Sequence, residues 1–538
     1  TRLDKNRYRP IPAIISDYES DGIFHSDIKL HLIEYVLREE GQSVEIHYQK
    51  VFRDFKMYDP LFFNERYPVE KSRIEIVVPD WLSLDLREIN FDLEKPIKTV
   101  SEKEGEQVIS YELTNLTNIF QFKKVPRRNA FNAHLIVLPK ELKLDGQVQP
   151  LMQDIDFLYG WYASLVREIG NDPAGLDALV AGILDGQESD LDKIKAIFYW
   201  VQDNIRYIAF ENGIMGFRPE SCQNVFNNKY GDCKGMANLT KEMLKIAGYD
   251  ARLTWLGTSD LPYTYEIPSP LVDNHMICTV VLAGEKIFLD PTEKFADLYN
   301  YAQRIQGQEV LIENGAGFII EKVPSNTPKQ NTEWKQAQLS LADGQLVGDA
   351  SITFTGTRKT RIFQLLSSIA QKEWKEALSY YLMGKSDNLE VDVHDLPNSK
   401  QRDDNIELNY SLIAKNYVID LGNELYVNLE TDHFLDDEAI EASRDVPYEL
   451  SWNYTRGAQT SLTIPAGWKV DYLPEAVHVD QEKYAFDLDW EVSEHAITYR
   501  KSFRMKAPYL NPDEFDAWNQ HVQQLKTFYA DQIILSKK

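Results

Sequence analysis

The spacing of apolar residues changes twice along this chain, and that change constrains the fold more than any other feature. Up to residue 150 the spacing is mostly two: Val44, Ile46 and Tyr48 share one phase, as do Ile74, Ile76 and Val78. Segments 29–37, 108–113 and 134–138 are apolar in the same manner. A period of two belongs to strands, and short strands at such intervals predict a β-sandwich over 1–150. Near residue 150 the period lengthens. Ile155, Leu158, Tyr159, Tyr162 and Val166 form a helical stripe, and Leu191, Ile194, Ile197, Phe198 and Val201 form another. Ser189, with Asp192 three residues on, reads as a capping box for the second helix. Segment 211–230 reads as a loop. A third helix opens at Asp232, carries Met236, Leu239 and Met243, and stops at Gly248. Strands return at 251–256, 276–282 and 286–289, so 151–325 is expected to be an α+β domain.

Pro324-Ser325-Asn326-Thr327-Pro328 reads as a linker. Beyond it, 337–355 alternates with Gly344 and Gly348 as turn signals, 361–382 is a helical insert, and strands are expected at 408–412, 460–463 and 496–503. A short helix over 518–530 precedes a last strand. The expectation for 326–538 is a second β-sandwich with a helical excursion. The fold class is therefore multidomain: two antiparallel β-sandwich domains flanking an α+β core.

Charge excludes two function classes. The 538 residues hold 58 Lys plus Arg against 84 Asp plus Glu, a net charge of −26. Nucleic acid and anionic membrane surfaces both require clustered positive charge, so neither is an expected partner. No apolar run reaches the ~18 residues of a membrane span. The three cysteines, Cys222, Cys233 and Cys278, are too few for a disulfide framework or a four-cysteine zinc site. No metal-ligand spacing or phosphate-cradling glycine loop appears, and no cofactor is expected.

One cysteine is placed for chemistry. Cys233 follows Tyr230-Gly231-Asp232 and begins the third helix. A thiol in a helix's first turn lies at the positive end of the macrodipole, which favours thiolate. The free N–H groups of that turn can also hold a developing oxyanion. The blander reading, a small buried hydrophobe, competes evenly until two more residues are weighed. His275 opens an apolar strand, and Asp290 closes the next one, in Leu289-Asp290-Pro291-Thr292. A thiolate needs an imidazole partner, and the imidazole needs an acceptor to fix its tautomer. The hairpin between them poses a difficulty. A two-residue loop at Gly284-Glu285 puts Asp290 opposite Thr279, four positions and roughly 13 Å from His275 at ~3.3 Å per residue. A His–Asp contact then predicts a wider loop, a bulge or strong strand coiling.

Tyr230-Gly231-Asp232-Cys233-Lys234, Asn274-His275 and Leu289-Asp290-Pro291-Thr292 together resemble bacterial transglutaminase-like proteins of the papain-like superfamily. The resemblance implies a Cys-His-Asp triad with Cys233 as nucleophile, His275 as base and Asp290 as orienting acid. It extends to the flanks: 1–150 resembles a β-rich domain of unknown function that precedes such cores. The later part, with Asp445-Val446-Pro447-Tyr448 and Ile464-Pro465-Ala466-Gly467-Trp468, resembles the β-domain that follows them. One position departs: Gly235 stands where the family usually carries Asp. Asn227, Asn228 and Tyr207 are upstream candidates for a second oxyanion donor, though each reads first as a loop or packing residue. Cys222 and Cys278 are the pairing that spares Cys233 if any disulfide forms, and Cys278 reads as core. Trp255 reads as packing. The acidic groups at Asp403-Asp404 and Asp436-Asp437-Glu438 read as solvated surface.

The resemblance implies a cysteine peptidase or amidase acting on peptide or other amide bonds through a thioester. The alternatives are a catalytically idle binding or scaffold protein of the cell envelope, and a true transglutaminase using an amine acceptor. Export is typical of such proteins, and with a first residue Thr1 it gives the expectation of an extracytoplasmic setting.

Overall fold

The computed structural model describes residues 2–4, 7–9, 13–20, 23–117, 122–384, 386–451 and 453–538. In the N-terminal part, β1 (Ala13–Ser20) and β2 (Phe24–Ile33) form an antiparallel hairpin. Residues 44–51, expected to be a strand, have no regular structure. Val44, Ile46 and Tyr48 alternate in sequence but, like Val51, lie exposed, so no buried face exists to enforce pairing. β3 (Val69–Val78), β5 (Ile97–Lys103) and β6 (Glu106–Leu116) make a three-stranded sheet in the order β3-β6-β5. Between them in sequence, β4 (Leu82–Ile89) leaves this sheet and pairs with β7 (His134–Leu144).

The middle of the chain is helical first. α1 (Ile155–Arg167) starts where Asp154 accepts from the Phe157 N–H. α2 (Leu176–Leu184) was not foreseen from the sequence. α3 (Asp190–Asn204) is capped by Ser189, whose hydroxyl oxygen accepts from the Asp192 N–H at 3.1 Å, as its capping-box sequence predicts. Two short strands follow, β8 (Arg206–Tyr207) and β9 (Ala209–Glu211); β9 lies parallel to β2. The segment read as a loop contains α4 (Cys222–Asn228), which then leads into β10 (Tyr230–Gly231), parallel to β8. α5 (Cys233–Ile246) packs on a five-stranded antiparallel sheet. That sheet comprises β11 (Asp250–Leu256), β12 (His275–Leu282), β13 (Glu285–Leu289), β14 (Glu309–Asn314) and β15 (Gly317–Lys322), in the order β13-β12-β11-β14-β15. α2, α3 and α5 meet the sheet in one apolar cluster that includes Ile197, Met236, Leu239, Cys222 and Cys278.

The C-terminal part is built on an eight-stranded sheet. β16 (Thr332–Ala342) and β17 (Gln345–Phe354) join through Asp343-Gly344, both in the left-handed region. Gly348, expected to mark a turn, sits inside β17. A Cβ there would meet the Gln338 carbonyl oxygen at 1.9 Å, so its role is close backbone approach. The helical insert is two helices, α6 (Gly356–Ser367) and α7 (Trp374–Met383). β18 (Leu389–Val393), β19 (Ile406–Ala414), β20 (Tyr454–Thr463), β21 (Val477–Asp480), β22 (Tyr484–Val492) and β23 (Ala496–Met505) complete the sheet, in the order β18-β19-β17-β16-β20-β23-β22-β21. α8 (Phe515–Ala530) presses Trp518 edge-on against Tyr484 and Phe486. Segment 324–328 is tied down: Asn326 donates from its backbone N–H to Gln306 and from its side-chain amide to Asn300 and Asn331. Among the described residues, no helix is long and apolar enough to cross a membrane.

The middle and C-terminal parts are locked together by buried polar contacts. Arg402 forks onto both oxygens of Asp203 at 2.7 and 2.6 Å and reaches Gln202 at 2.7 Å. Lys359, itself buried, donates to Asp297 at 2.9 Å. Gln202 in turn donates to the carbonyls of Glu293 and Ala296.

Candidate functional site

Cys233 is positioned by a helix start. Asp232 caps α5, its Oδ1 accepting from the Gly235 N–H at 2.8 Å, while its Oδ2 pairs with Lys234. The cap fixes the first turn, and the Cys233 side chain with it. The residue is 5% exposed. Lys234, also buried, bridges Asp232 and, at 3.4 Å, Glu211. Burial alone would lower its ammonium, but the charges around Cys233, Asp232 and Glu211 outweigh it and hold Lys234 protonated. Burial pushes the Glu211 carboxyl upward.

Gly235, where the resemblance leads one to expect Asp, has a packing cause. A Cβ at this position would lie 2.9 Å from Val225 Cγ2 on α4. Val225 is fully buried, and its two methyls already stand 3.1 and 3.2 Å from where a Gly231 Cβ would be. The side chain at 235 is therefore excluded by its neighbour on α4.

His275 and Asp290 meet without the irregularity expected of their hairpin. The loop between β12 and β13 is Ala283-Gly284, not Gly284-Glu285, with φ of 51° and 87°. Both central residues thus have positive φ, as a type I′ turn requires. Leu282 pairs with Glu285 and Cys278 with Leu289 in an unbroken register. Asp290 then falls opposite Ile277, two positions from His275 and on the same face. That is a diagonal neighbour, within side-chain reach. His275 Nε2 donates to Asp290 Oδ2 at 3.0 Å, and the ring is close enough to Cys233 to feel it electrostatically. The structure therefore brings Cys233, His275 and Asp290 together.

The electrostatics follow from these contacts. Burial alone would lower the His275 imidazole. The Asp290 charge and hydrogen bond, with those of Cys233, overcome that and push it up to about 9. Burial works against the Asp290 charge too, yet Arg304 and His275 hold its carboxyl well below the usual range. Every direction of approach to this carboxylate is occupied. Oδ1 accepts from the Thr292 N–H at 3.1 Å and its hydroxyl at 2.6 Å; Oδ2 accepts from Arg304 Nη2 at 2.6 Å as well as from His275.

Arg304 was missed in the sequence because no motif points to it; only the chain's return beside β13 brings it to Asp290. Tyr207, one of the three upstream candidates, lies beside Cys233. Burial and then the neighbouring Cys233, Asp232 and Glu211 charges push its hydroxyl upward, so it remains a proton donor. Asn227 and Asn228 lie exposed at the end of α4. Trp255 is core, stacked on Tyr162 with centroids 5.1 Å apart. All three cysteines are free.

Residues 177–277 match the transglutaminase-like superfamily, and residues 424–535 match a domain of unknown function with solved structure, DUF3858. The chain thus carries a transglutaminase-like domain followed by DUF3858; Cys233 and His275 fall inside the first match and Asp290 just beyond it. A 78-residue stretch is 31% identical to human kyphoscoliosis peptidase, covering 14% of this chain and 11% of that protein. Over 89% of this chain and 74% of the other, the fold is similar to a crystal structure described as a "putative protease" from Parabacteroides distasonis, with a TM-score of 0.53 and 12% identity. At that identity the likeness concerns the fold.

Proposed function

We propose that this transglutaminase-like chain is a cysteine hydrolase of amide bonds in peptides or proteins, with Cys233 as nucleophile, His275 as acid–base and Asp290 as orienting acid. The observation that carries the reading is the His275 Nε2–Asp290 Oδ2 hydrogen bond beside Cys233 at the start of α5. Nε2 faces the carboxylate, which leaves Nδ1 for the thiol. Passage of the Cys233 proton to His275 Nδ1 makes the sulfur the nucleophile and the ring the acid.

The sulfur attacks the carbonyl carbon, and the C–N bond breaks as His275 delivers its proton to the departing nitrogen. A thioester and a free amine result. His275 then takes a proton from water, the hydroxide displaces sulfur, and the products are a carboxylic acid and the thiolate. The Cys233 N–H at the start of α5, with the Tyr207 hydroxyl beside it, is suited to hold the intermediate oxyanion. The core in this reading spans 151–325, between flanking sandwiches at 1–150 and 326–538, in an extracytoplasmic setting. Gly235 does not favour the idle-scaffold alternative, since Val225 accounts for it.

The test is the pH dependence of iodoacetamide alkylation at Cys233 in the intact protein and in His275→Ala. Rapid alkylation near pH 6 that slows in the variant is expected, and hydrolysis of a peptide library should vanish in Cys233→Ala. Alkylation that sets in only near ~8.5 and ignores His275 would refute the reading.

A further inference from the structure

The site contains one charged residue that the triad reading does not use. Arg304 is 37% exposed at its side chain, but its guanidinium reaches inward to three partners. Nη2 donates to Asp290 Oδ2 at 2.6 Å and to the Thr292 hydroxyl oxygen at 2.8 Å, and Nη1 pairs with Glu293. Glu293 is held from the other side, where Gln364 on α6 donates to its Oε1 at 2.8 Å. A continuous chain of contacts thus runs from α6 through Glu293 and Arg304 to Asp290.

We propose that Arg304 is a positioning residue: by sharing Asp290 Oδ2 with His275, it both fixes the carboxylate and takes up part of the charge that the imidazole would otherwise feel. This rests on the triad reading and deepens it. Two donors on one oxygen compete for the same electron density. A guanidinium is always charged and forks onto neighbouring acceptors, so it does not yield when the imidazole titrates. Without Arg304 the full charge of Asp290 would stabilise the imidazolium, and the general base would regain its proton too tightly for the second half of the reaction. Brønsted behaviour favours a base poised nearer the working pH. Glu293 works in the opposite sense, since it draws on the same guanidinium. The titratable groups facing His275 are Asp290 at the end of β13 and Cys233 on α5. Behind them stand Arg304 and Glu293 on one side and Asp232 with Lys234 on the other.

The experiment is an NMR titration of the His275 ring in the full chain with 13C-labelled histidine, the signal being identified by its loss in His275→Ala. In Arg304→Met the midpoint is expected to rise by about one pH unit, the scale of a unit charge removed at a few ångströms in a protein environment. Arg304→Lys should return it towards the original value, and Glu293→Gln should move it the other way. A purely structural ion pair would shift melting temperature and leave these midpoints where they were. An unchanged or lowered midpoint in folded Arg304→Met overturns the proposal. If that variant does not fold, Glu293→Gln decides: a lowered midpoint supports Arg304 as the tuner, and an unchanged one overturns it. Failure of the triad reading has a different signature, namely a midpoint near 6.5 in the unmodified chain together with alkylation of Cys233 that is indifferent to His275→Ala.

Discussion

Gly235→Ala is the substitution whose outcome the geometry decides most sharply, because two effects of known sign oppose each other. Alanine in place of glycine in a helix gains about 1 kcal/mol in propensity. Against this, the new methyl would stand 2.9 Å from Val225 Cγ2, closer than real Cβ contacts occur. Val225 has no easy escape: it is fully buried, and its other methyl is already close to Gly231. Overpacking a filled core costs about 1–3 kcal/mol, so a net loss of roughly 0–2 kcal/mol is expected once the propensity gain of about 1 is set against it. Asp at this position should cost more, because its carboxylate would also crowd Asp232 Oδ1, 3.5 Å from the Cβ. Val225→Ala removes the obstructing methyls. The pair should therefore be coupled, with the double variant more stable than the sum of the singles by about 1–2 kcal/mol. Cys222 and Cys278 lie in the same apolar cluster as Val225, so their labelling by a thiol reagent across a urea series reports unfolding of this region rather than of the whole chain. A Gly235→Ala protein more stable than the parent, or a cycle with no coupling, would refute the argument.

Three further outcomes follow from the same contacts. In the native protein a thiol reagent should modify one cysteine of three: Cys222 and Cys278 are fully buried, with burial pushing their thiols up to about 11 and about 12, and intact-mass measurement counts the adducts. His275, raised to about 9 from an ordinary 6.5, adds stability that is complete below 6.5 and lost as pH climbs through about 9; melting temperatures of the parent should fall over that window and those of His275→Gln should not follow. Asp273 behaves oppositely to a salt-bridged acid. Tyr265's single hydroxyl proton cannot serve both the Trp255 carbonyl at 2.8 Å and Asp273 Oδ1 at 2.6 Å, so a neutral Asp273 that donates to Tyr265 completes the set. Burial raises this acid to about 7, so its contribution is full below 3.8 and lost as pH rises through about 7, and Asp273→Asn should flatten the stability profile across that interval.

The helix starts were legible because capping is local chemistry. Ser189 and Asp232 each accept from an N–H three residues on, and both were read from side-chain type and spacing alone. α4 was not legible: over seven residues only Cys222 and Val225 are buried, too few for a periodic stripe. Residues 44–51 failed in the opposite way, with a good alternation and nothing to bury it against. The β12–β13 loop was placed one residue late because a glycine in a two-residue loop was taken as its first member. Asn-Gly-type I′ turns put it second, and Ala283 accepts the positive φ ahead of it. That single residue moved Asp290 by two positions in register and turned a simple diagonal contact into an apparent need for a bulge.

Each reactive group in the proposed site is fixed by the end of a secondary-structure element rather than by a loop. Cys233 is held by the cap of α5, His275 by the first pairing of β12, and Asp290 by the residue after β13 together with the Asx turn to Thr292. Such a design tolerates change in the strands, whose registers are over-determined, and is sensitive to change at the caps and at whatever holds the Asp290 carboxylate from behind. The carboxylate is also where the C-terminal part enters, since Gln364 and Glu293 lie behind Arg304. The arrangement gives the flanking region a mechanical reason to accompany the core: without α6, Glu293 would lose a partner and Arg304 would be left with a more mobile anchor. A core expressed without residues 326–538 should therefore retain the Cys233–His275 contact but titrate at a shifted pH, a difference that the same ring signal of His275 reports directly.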